Sequence, residues 1–183
     1  MLATMRIRNV HERVLAVAPE DAARLIDGLA GPDDLFWPAA WPAIAFDRPL
    51  AVDAEGGHGP ISYRVSAYEP GRRVECTFTP RYWLAQGLEG CHVLSIRAVP
   101  DGCALHHELG GTISKGMLWR WPLIVRPLHD ALIEDAFDSS ARALGVVPER
   151  PAAWSPWVRV LRWMFGLGRR PRQARPMTPE RAA

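Results

Sequence analysis

The sequence predicts an α+β fold, in which an antiparallel sheet of six or seven strands lays one face against a long C-terminal helix. Residues 61–109 alternate between apolar and polar side chains, the two-residue period of strands with one buried face. Turn sequences at residues 69–72 (EPGR) and 101–102 (DG) divide this region into hairpins. Residues 114–145 instead repeat apolar side chains at helical spacing, so a helix follows the sheet.

The N-terminal third is predicted to supply an outer strand and short helical structure. Residues 5–17 mix β-branched and charged side chains, which is typical of a strand exposed on one side. Pro19 and the two acids after it suit the first turn of a helix, which ends at the Gly-Pro sequence of residues 31–32. Two Trp-Pro steps in residues 35–42 indicate irregular structure or one short helix, and residues 43–52 are expected to give a short edge strand.

The first hairpin has a register that the apolar pattern specifies. The sequence of residues 69–72 is typical of a type II turn, which joins a strand ending near Ala67 to one starting near Val74. With this turn apolar side chains meet apolar side chains, and a slip of one residue would reverse every one of them. The predicted pairs are Ala67 with Val74, Val65 with Cys76, and Tyr63 with Phe78.

The second hairpin is predicted in the same way from its Asp-Gly turn. This register turns His92 and His107 to the buried face but places them four pair positions apart, too far at about 3.4 Å per residue to share a metal. The glycine-rich residues 56–60 (GGHGP) are expected to be irregular and to form a lip over a cavity. The predicted pairs are Ala98 with Leu105, Ile96 with His107, and Leu94 with Leu109.

The C-terminal helix carries an apolar stripe that one charged residue interrupts. Pro122 and Pro127 lack a backbone N–H, so a late start or kinks are expected, and Gly145 is placed for a left-handed stop. At 100° per residue Asp135 falls within the stripe, where a carboxylate must be paired, hydrogen-bonded or open to water. The stripe consists of Met117, Trp121, Ile124, Leu128 and Leu132.

The composition is that of one soluble globular domain with a basic extension. The 183 residues are 48% hydrophobic and 23% charged, and no apolar run reaches the roughly 18 residues of a membrane-spanning helix. The net charge of +2 divides into −4 over residues 1–150 (15 basic, 19 acidic) and +6 over residues 151–183 (seven Arg, one Glu). The three cysteines lack metal-type spacing and we recognise no secretory signal, so free thiols in the cytoplasm are expected.

The chain beyond the long helix is predicted to contain a proline-rich linker and an apolar, arginine-bearing amphipathic segment over residues 148–168, then a disordered basic tail over residues 169–183. Residues 157–167 have the composition of a helix at a membrane surface, although such helices more commonly pack on their own domain or on a second copy. No nucleic acid is expected as a partner, because the sheet lacks a basic, aromatic outer face. The candidate contacts are Trp157, Arg159, Arg162, Trp163 and Phe165.

The order of elements, together with HGPISYRVSAYEPGRRVECTF (residues 58–78) and WPLIVRPLHDALIEDAF (residues 121–137), resembles the START-like or SRPBCC superfamily. The chain is similar to bacterial polyketide cyclase/dehydrase-like proteins, and the START-like region spans residues 1–147. This resemblance implies a helix-grip fold, in which a curved sheet wraps around the long helix and leaves a cavity for an apolar ligand. We recognise no set of catalytic residues to carry across from this resemblance, and we expect no cofactor and no metal.

Nine side chains are candidates to line that cavity. His92 and His107 bring polar contacts to an apolar pocket, and one of them is a candidate acid or base. Asp135 is expected either to bind a ligand hydroxyl or, where the helix leaves the sheet, to meet solvent. The candidates are Tyr63, Phe78, His92, Leu94, Ile96, His107, Trp121, Leu128 and Asp135.

Three functions therefore remain open from the sequence. The preferred one is a non-catalytic protein that binds a small hydrophobic or amphipathic molecule between sheet and helix. The first alternative is an enzyme of the aromatase/cyclase kind, in which a histidine or aspartate moves protons. The second alternative is a membrane-surface or oligomerisation module that uses the C-terminal segment.

Overall fold

The structure, a computed structural model, describes residues 4–167 of the chain. Seven strands form one curved antiparallel sheet in the order β1-β7-β6-β5-β4-β3-β2, which confirms the predicted α+β class. The strands are β1 (Met5–Leu15), β2 (Ile44–Phe46), β3 (Glu55–His58), β4 (Ile61–Glu69), β5 (Arg73–Phe78), β6 (Leu88–Val99) and β7 (Gly102–Ile113).

Two short helices lie between β1 and β2, and the other helices follow β7. The N-terminal helix is split into α1 (Pro19–Ala22) and α2 (Arg24–Asp27). The long C-terminal helix starts as a 3₁₀ turn (Lys115–Met117), continues as a π-helical stretch (Trp121–Val125) and becomes regular only in α3 (Arg126–Ala143). A last helix, α4, spans Pro156–Met164.

The two prolines explain the irregular start of the long helix. Pro122 and Pro127 cannot donate to the carbonyl four residues earlier, so the first turns adopt other spacings. The helix ends as predicted at Gly145, whose φ is +78°. There the N–H of Val146 bonds the carbonyl of Ala141 at 2.8 Å, the six-to-one bond of a Schellman motif.

The first hairpin confirms two of its three predicted pairs. Tyr63 lies opposite Phe78 and Val65 opposite Cys76, and Gly71 has the positive φ of a type II turn. The predicted pairing of Ala67 with Val74 is wrong. A bulge after Val65 inserts one residue, so Tyr68 faces Val74 instead.

The second hairpin has the predicted faces but a register shifted by two residues. Val99 pairs with Gly102, so the turn consists of residues 100–101 rather than 101–102. His107 therefore lies opposite Leu94, and His92 opposite Leu109. The two histidine rings, predicted to be far apart, have centroids only 5.5 Å apart. The predicted separation is wrong because a register shift of two residues leaves every side chain on its predicted face, so the alternation pattern fits both registers.

The glycine-rich residues 56–60 are not the loop that the sequence predicted. Residues 55–58 form β3, which pairs with both β2 and β4. A Cβ on Gly56 would lie 2.0 Å from the carbonyl oxygen of Ala45, so glycine permits the close approach of these strands. Only Gly59 and Pro60 remain in the turn.

The core divides into two apolar clusters on the concave face of the sheet. One joins α2 to the C-terminal half of α3 through residues such as Leu25 and Phe137. The other holds Met117, Val158 and Leu161, so α4 packs onto the domain. Within residues 4–167 we find no helix of the length and apolarity needed to cross a bilayer. The predicted basic tail, residues 169–183, lies outside the described residues.

Candidate functional site

The sheet and α3 enclose a cavity of about 930 Å³. Residues 36–37, 39–44 and 165–167 form much of the rest of its wall, together with Leu29, Leu84 and Val125. The lining residues that are themselves exposed mark its mouth, and they are Ala39, Ala40, Ala43, Gly59 and Gly166. Most of the wall is apolar and includes Phe36, Ile44, Val74, Phe78, Leu84, Leu88, Leu94, Leu109, Val125, Leu128 and Leu132.

A row of hydrogen-bonding rings crosses this apolar wall. Strand alternation turns Tyr63, His92 and His107 to the concave face, and α3 supplies His129 above them. Ring centroids lie 4.8 Å apart from Tyr63 to His92, 5.5 Å from His92 to His107, and 5.0 Å from His107 to His129. His58 stands 6.1 Å from Tyr63 and extends the row to β3.

Four of these rings hold a buried polar atom without a partner. Tyr63 Oη, His92 Nε2, His107 Nδ1 and His129 Nδ1 make no hydrogen bond to residues 4–167. His129 Nδ1 lies 3.9 Å from Asp130 Oδ1, beyond hydrogen-bond distance. Most buried polar groups in proteins are paired, so four unpaired atoms around one cavity need an explanation.

Burial keeps the cavity histidines neutral. It lowers the pKa of His58 and His92 to about 3, and charge repulsion from His129 adds to the effect. Burial also holds the pKa of His107 well below its ordinary value and lowers that of His129. The pKa of the Tyr63 hydroxyl is raised well above its usual value for the same reason. The row therefore offers neutral donors and acceptors near pH 7.

An ion-pair cluster lies beside the row, between β1 and α3. His11 bonds Glu134 at 2.7 Å through Nδ1 and Asp130 at 3.2 Å through Nε2. Burial alone would lower the pKa of His11, but these hydrogen bonds outweigh it and raise the pKa to about 9. Asn9 donates to Asp130 at 2.9 Å and Arg13 to Glu134 at 2.7 Å, so the two acids are shared among several donors.

This cluster contains the one metal-type grouping found among the described residues. His11, His129 and Asp130 offer ligand atoms that lie within 4.8 Å of one another. His11 is already paired through Nδ1 with Glu134 at 2.7 Å and through Nε2 with Asp130 at 3.2 Å. The geometry is therefore explained by ion pairing.

Asp135 has a structural role that neither sequence interpretation expected. Its Oδ2 accepts hydrogen bonds from Trp41 Nε1 and Trp154 Nε1, both at 2.7 Å. The Arg162 guanidinium lies over both indoles, 4.2 Å and 3.8 Å from the ring centroids. Asp135 therefore fastens the C-terminal segment to α3, and it is half-buried and outside the cavity lining.

The structure brings six of the nine candidate pocket residues to the cavity wall. Ile96 and Trp121 are buried elsewhere in the two core clusters, and Asp135 bonds the tryptophans. The six that line the cavity are Tyr63, Phe78, His92, Leu94, His107 and Leu128.

Two polar lining residues were missed from the sequence. His129 is one residue beyond Leu128, and the apolar side chains four residues away on either side, Val125 and Ile133, could have shown that its helical position is buried. His58 was assigned to an irregular loop because glycines surround it.

The C-terminal candidates divide between the domain and the solvent. Phe165 lines the cavity, and Arg162 donates to the carbonyl of Ala40 at 2.6 Å. Trp157 Nε1 donates to the carbonyl of Leu123 at 2.7 Å while its ring remains exposed. Arg159 and Trp163 are exposed.

Comparisons with known proteins show the fold. No family model and no curated protein matches the chain. Norcoclaurine synthase from Thalictrum flavum, a point mutant in complex with a transition-state analogue, is 13% identical over 79% of this chain and 97% of that one, with a TM-score of 0.60. An uncharacterized protein from Rhizobium leguminosarum is 12% identical over 79% and 98%, with a TM-score of 0.53. CalU16 from Micromonospora echinospora is 16% identical over 89% and 83%, with a TM-score of 0.50.

Identities this low show a shared architecture and no shared activity. The seven-stranded curved sheet and the long helix packed against it match these structures over most of their length. The chain therefore has the helix-grip fold that its resemblance to the START-like superfamily implied.

Proposed function

We propose that the protein binds a small, mainly apolar molecule that carries hydrogen-bonding groups, in the cavity between the sheet and α3. The observation that carries the proposal is an apolar cavity of about 930 Å³ whose wall holds four unpaired polar atoms. Cavities of this size and lining are typical of small-molecule sites.

The unpaired atoms give such a ligand its specificity. A buried polar group without a partner destabilises a protein by about 1–3 kcal/mol, and a ligand that pairs it removes that penalty. Each of the four side chains lines the cavity, so we expect a bound molecule to pair these atoms where their rings turn toward it. A purely aliphatic ligand would leave these atoms unpaired.

Neutral histidines favour binding over acid–base catalysis. A general acid or base works best when its pKa lies near the working pH. The pKa of His92 and of His58 is about 3, several units from neutrality, so neither is suited to exchange a proton at pH 7. Both still form hydrogen bonds as neutral rings.

Titration with anilinonaphthalene sulfonate, an amphipathic probe that fluoresces in apolar sites, tests the proposal. We expect saturable binding, and we expect His107→Phe to weaken it about fivefold or more, since one hydrogen bond contributes about 1 kcal/mol. The matched control is His106→Phe. His106 neighbours His107 on β7 but faces the other side of the sheet, where it bonds Glu12 at 3.1 Å. Equal affinity for both variants, or no saturable binding by the wild type, would refute the proposal.

A second candidate is an enzyme that closes or condenses aromatic molecules. It is favoured by the contact of several hydrogen-bonding rings in one cavity, which gives a substrate more than one polar anchor. Norcoclaurine synthase, a similar structure, has been solved with dopamine and hydroxybenzaldehyde, both hydroxylated aromatics. Native mass spectrometry of the purified protein would identify a co-purified molecule. Its conversion on incubation, lost in Tyr63→Phe, would establish catalysis.

The cytoplasm remains our proposed location. Cys76, Cys91 and Cys103 are all free thiols, and burial raises the pKa of each, Cys76 to about 12. Protonated thiols react slowly with oxidants, and free cysteines are common in reducing compartments.

A further inference from the structure

Helix α4 presents an apolar face to solvent. At 100° per residue its exposed side chains fall on one half of the helix, and Arg159 is the only charged one among them. Trp163 at the centre of this face is 82% exposed. The other apolar members are Trp157, Val160 and Met164.

The opposite face of α4 buries a cation instead. Arg162 is 6% exposed and stacks between two indoles, with Val158 and Leu161 beside it. A helix on a domain surface normally buries its apolar side chains and exposes its charges. Here the arginine lies inside and a tryptophan lies outside, so the exposed face has the character of an interaction surface.

The apolar face continues onto the start of the long helix. The hydrogen bond from Trp157 Nε1 to the carbonyl of Leu123 joins the two elements. Leu123 is 52% exposed, and Trp119, one turn earlier, is 55% exposed. We call the combined set the tryptophan surface, and its residues are Trp119, Leu123, Trp157, Val160, Trp163 and Met164.

The two segments that form the tryptophan surface carry basic residues and no acidic ones. Residues 114–129 and the described residues 150–167 contain no aspartate or glutamate, whereas each range has three lysines or arginines. Lys115 and Arg159 are exposed cations of the two elements that form the surface. Two copies meeting face to face would bring these cations together, whereas an anionic partner would complement them.

We propose that the tryptophan surface docks the protein on anionic lipid bilayers. Tryptophan and arginine together suit the headgroup region, where an indole is half in hydrocarbon and a cation contacts lipid phosphates. Gly166, at the mouth of the cavity, lies two residues beyond Met164, so docking sets the mouth beside the bilayer. The proposal does not depend on the cavity having a ligand.

Co-sedimentation of the full-length protein with lipid vesicles tests this surface. We expect binding to vesicles of phosphatidylcholine with phosphatidylglycerol, weaker binding to phosphatidylcholine alone, and a decrease with added salt. The double variant Val160→Ser/Trp163→Ser should lose about tenfold or more in affinity. Val147→Ser is the matched control, because Val147 is 85% exposed but lies outside both elements of the surface. Absence of binding by the wild type, or equal binding by the double variant, overturns the proposal.

A charge-reversal variant distinguishes electrostatic docking from non-specific hydrophobic adsorption to the vesicles. Arg159→Glu should weaken binding to the anionic vesicles by about fivefold or more, because each basic residue near such a surface contributes about 1 kcal/mol. Arg72→Glu is the control, since the β4–β5 turn packs on α2, where the Gly71 N–H donates to Asp27 at 2.6 Å, whereas α4 belongs to the other core cluster. Light scattering without lipid tests whether a second copy of the protein covers the tryptophan surface instead. A dimer that the double variant converts to monomer, with no vesicle binding, assigns the surface to a second copy and overturns the lipid proposal.

Discussion

Acidification should destabilise the protein through its cavity histidines. The folded-state pKa of His92 is about 3, whereas an unfolded histidine has a pKa of about 6.5. Between these two pKa values the unfolded state therefore binds a proton that the folded state does not bind. The contribution of His92 to stability is present above pH 6.5 and is lost as the pH falls toward 3.

The loss can be calculated for one ring. Between pH 7 and pH 5 the unfolded histidine goes from about one quarter protonated to almost fully protonated while the folded ring stays neutral. Integrated over these two pH units at about 1.4 kcal/mol per proton and pH unit, this lowers the free energy of unfolding by about 2 kcal/mol. His58 should contribute as much again, because its pKa is also about 3. His11 opposes this trend modestly, since its pKa is raised to about 9, but it does so equally in every cavity variant.

Urea unfolding at pH 7 and pH 5 measures this difference. In His92→Gln the loss of stability on acidification should be smaller than in the wild type by about 2 kcal/mol. Tyr63→Phe is the matched control. It changes the neighbouring ring, 4.8 Å away, but removes no group that titrates in this range. If His92→Gln lost as much stability as the wild type, the depressed pKa of His92 would be refuted.

Three further results are expected. Between pH 6.5 and pH 9 the wild type should lose about 1–2 kcal/mol of stability as His11 deprotonates, since its pKa is raised to about 9 and solvent screens its partly exposed acidic partners. His11→Gln should show no such loss in urea unfolding. Arg162→Met removes two indole contacts and a bond to a carbonyl, so docking of α4 should weaken by about 2–4 kcal/mol. Amide hydrogen exchange in α4 should then be faster in Arg162→Met than in the wild type, whereas Arg159→Met should leave it unchanged. Equal protection of α4 in the two variants would contradict the role of Arg162. Gly145→Ala should destabilise by about 1 kcal/mol in thermal unfolding, from its φ of +78° alone, because a Cβ there meets nothing within 4 Å. A much larger loss would reveal a contact.

The faces of the strands were predictable, but the register of the second hairpin was not. Alternation identified Tyr63, His92 and His107 as inward-facing, and all three line the cavity. The same alternation fits a shift of two residues equally well. Only the observed turn at residues 100–101 places the two histidine rings beside each other.

In the candidate site, too, the sequence identified single residues but not the residues that they contact. Asp135 was identified as out of place on an apolar stripe, yet its partners could not be named. One of them, Trp41, lies 94 residues earlier in the chain, in a segment without regular structure. His129 was missed although the buried Val125 and Ile133 lie four residues to either side of it, and His58 was missed because the glycines around it predicted a loop.

The sequence by itself determined the class of fold, the faces of the strands and the end of the long helix, because periodicity, proline and glycine act within a few residues. The tertiary structure alone decided which polar groups meet. It assembled the histidine row, gave Asp135 two tryptophans, and turned Arg162 inward while Trp163 stayed outside. These outcomes depend on contacts between residues far apart in the chain, and local patterns carry no information about such distances.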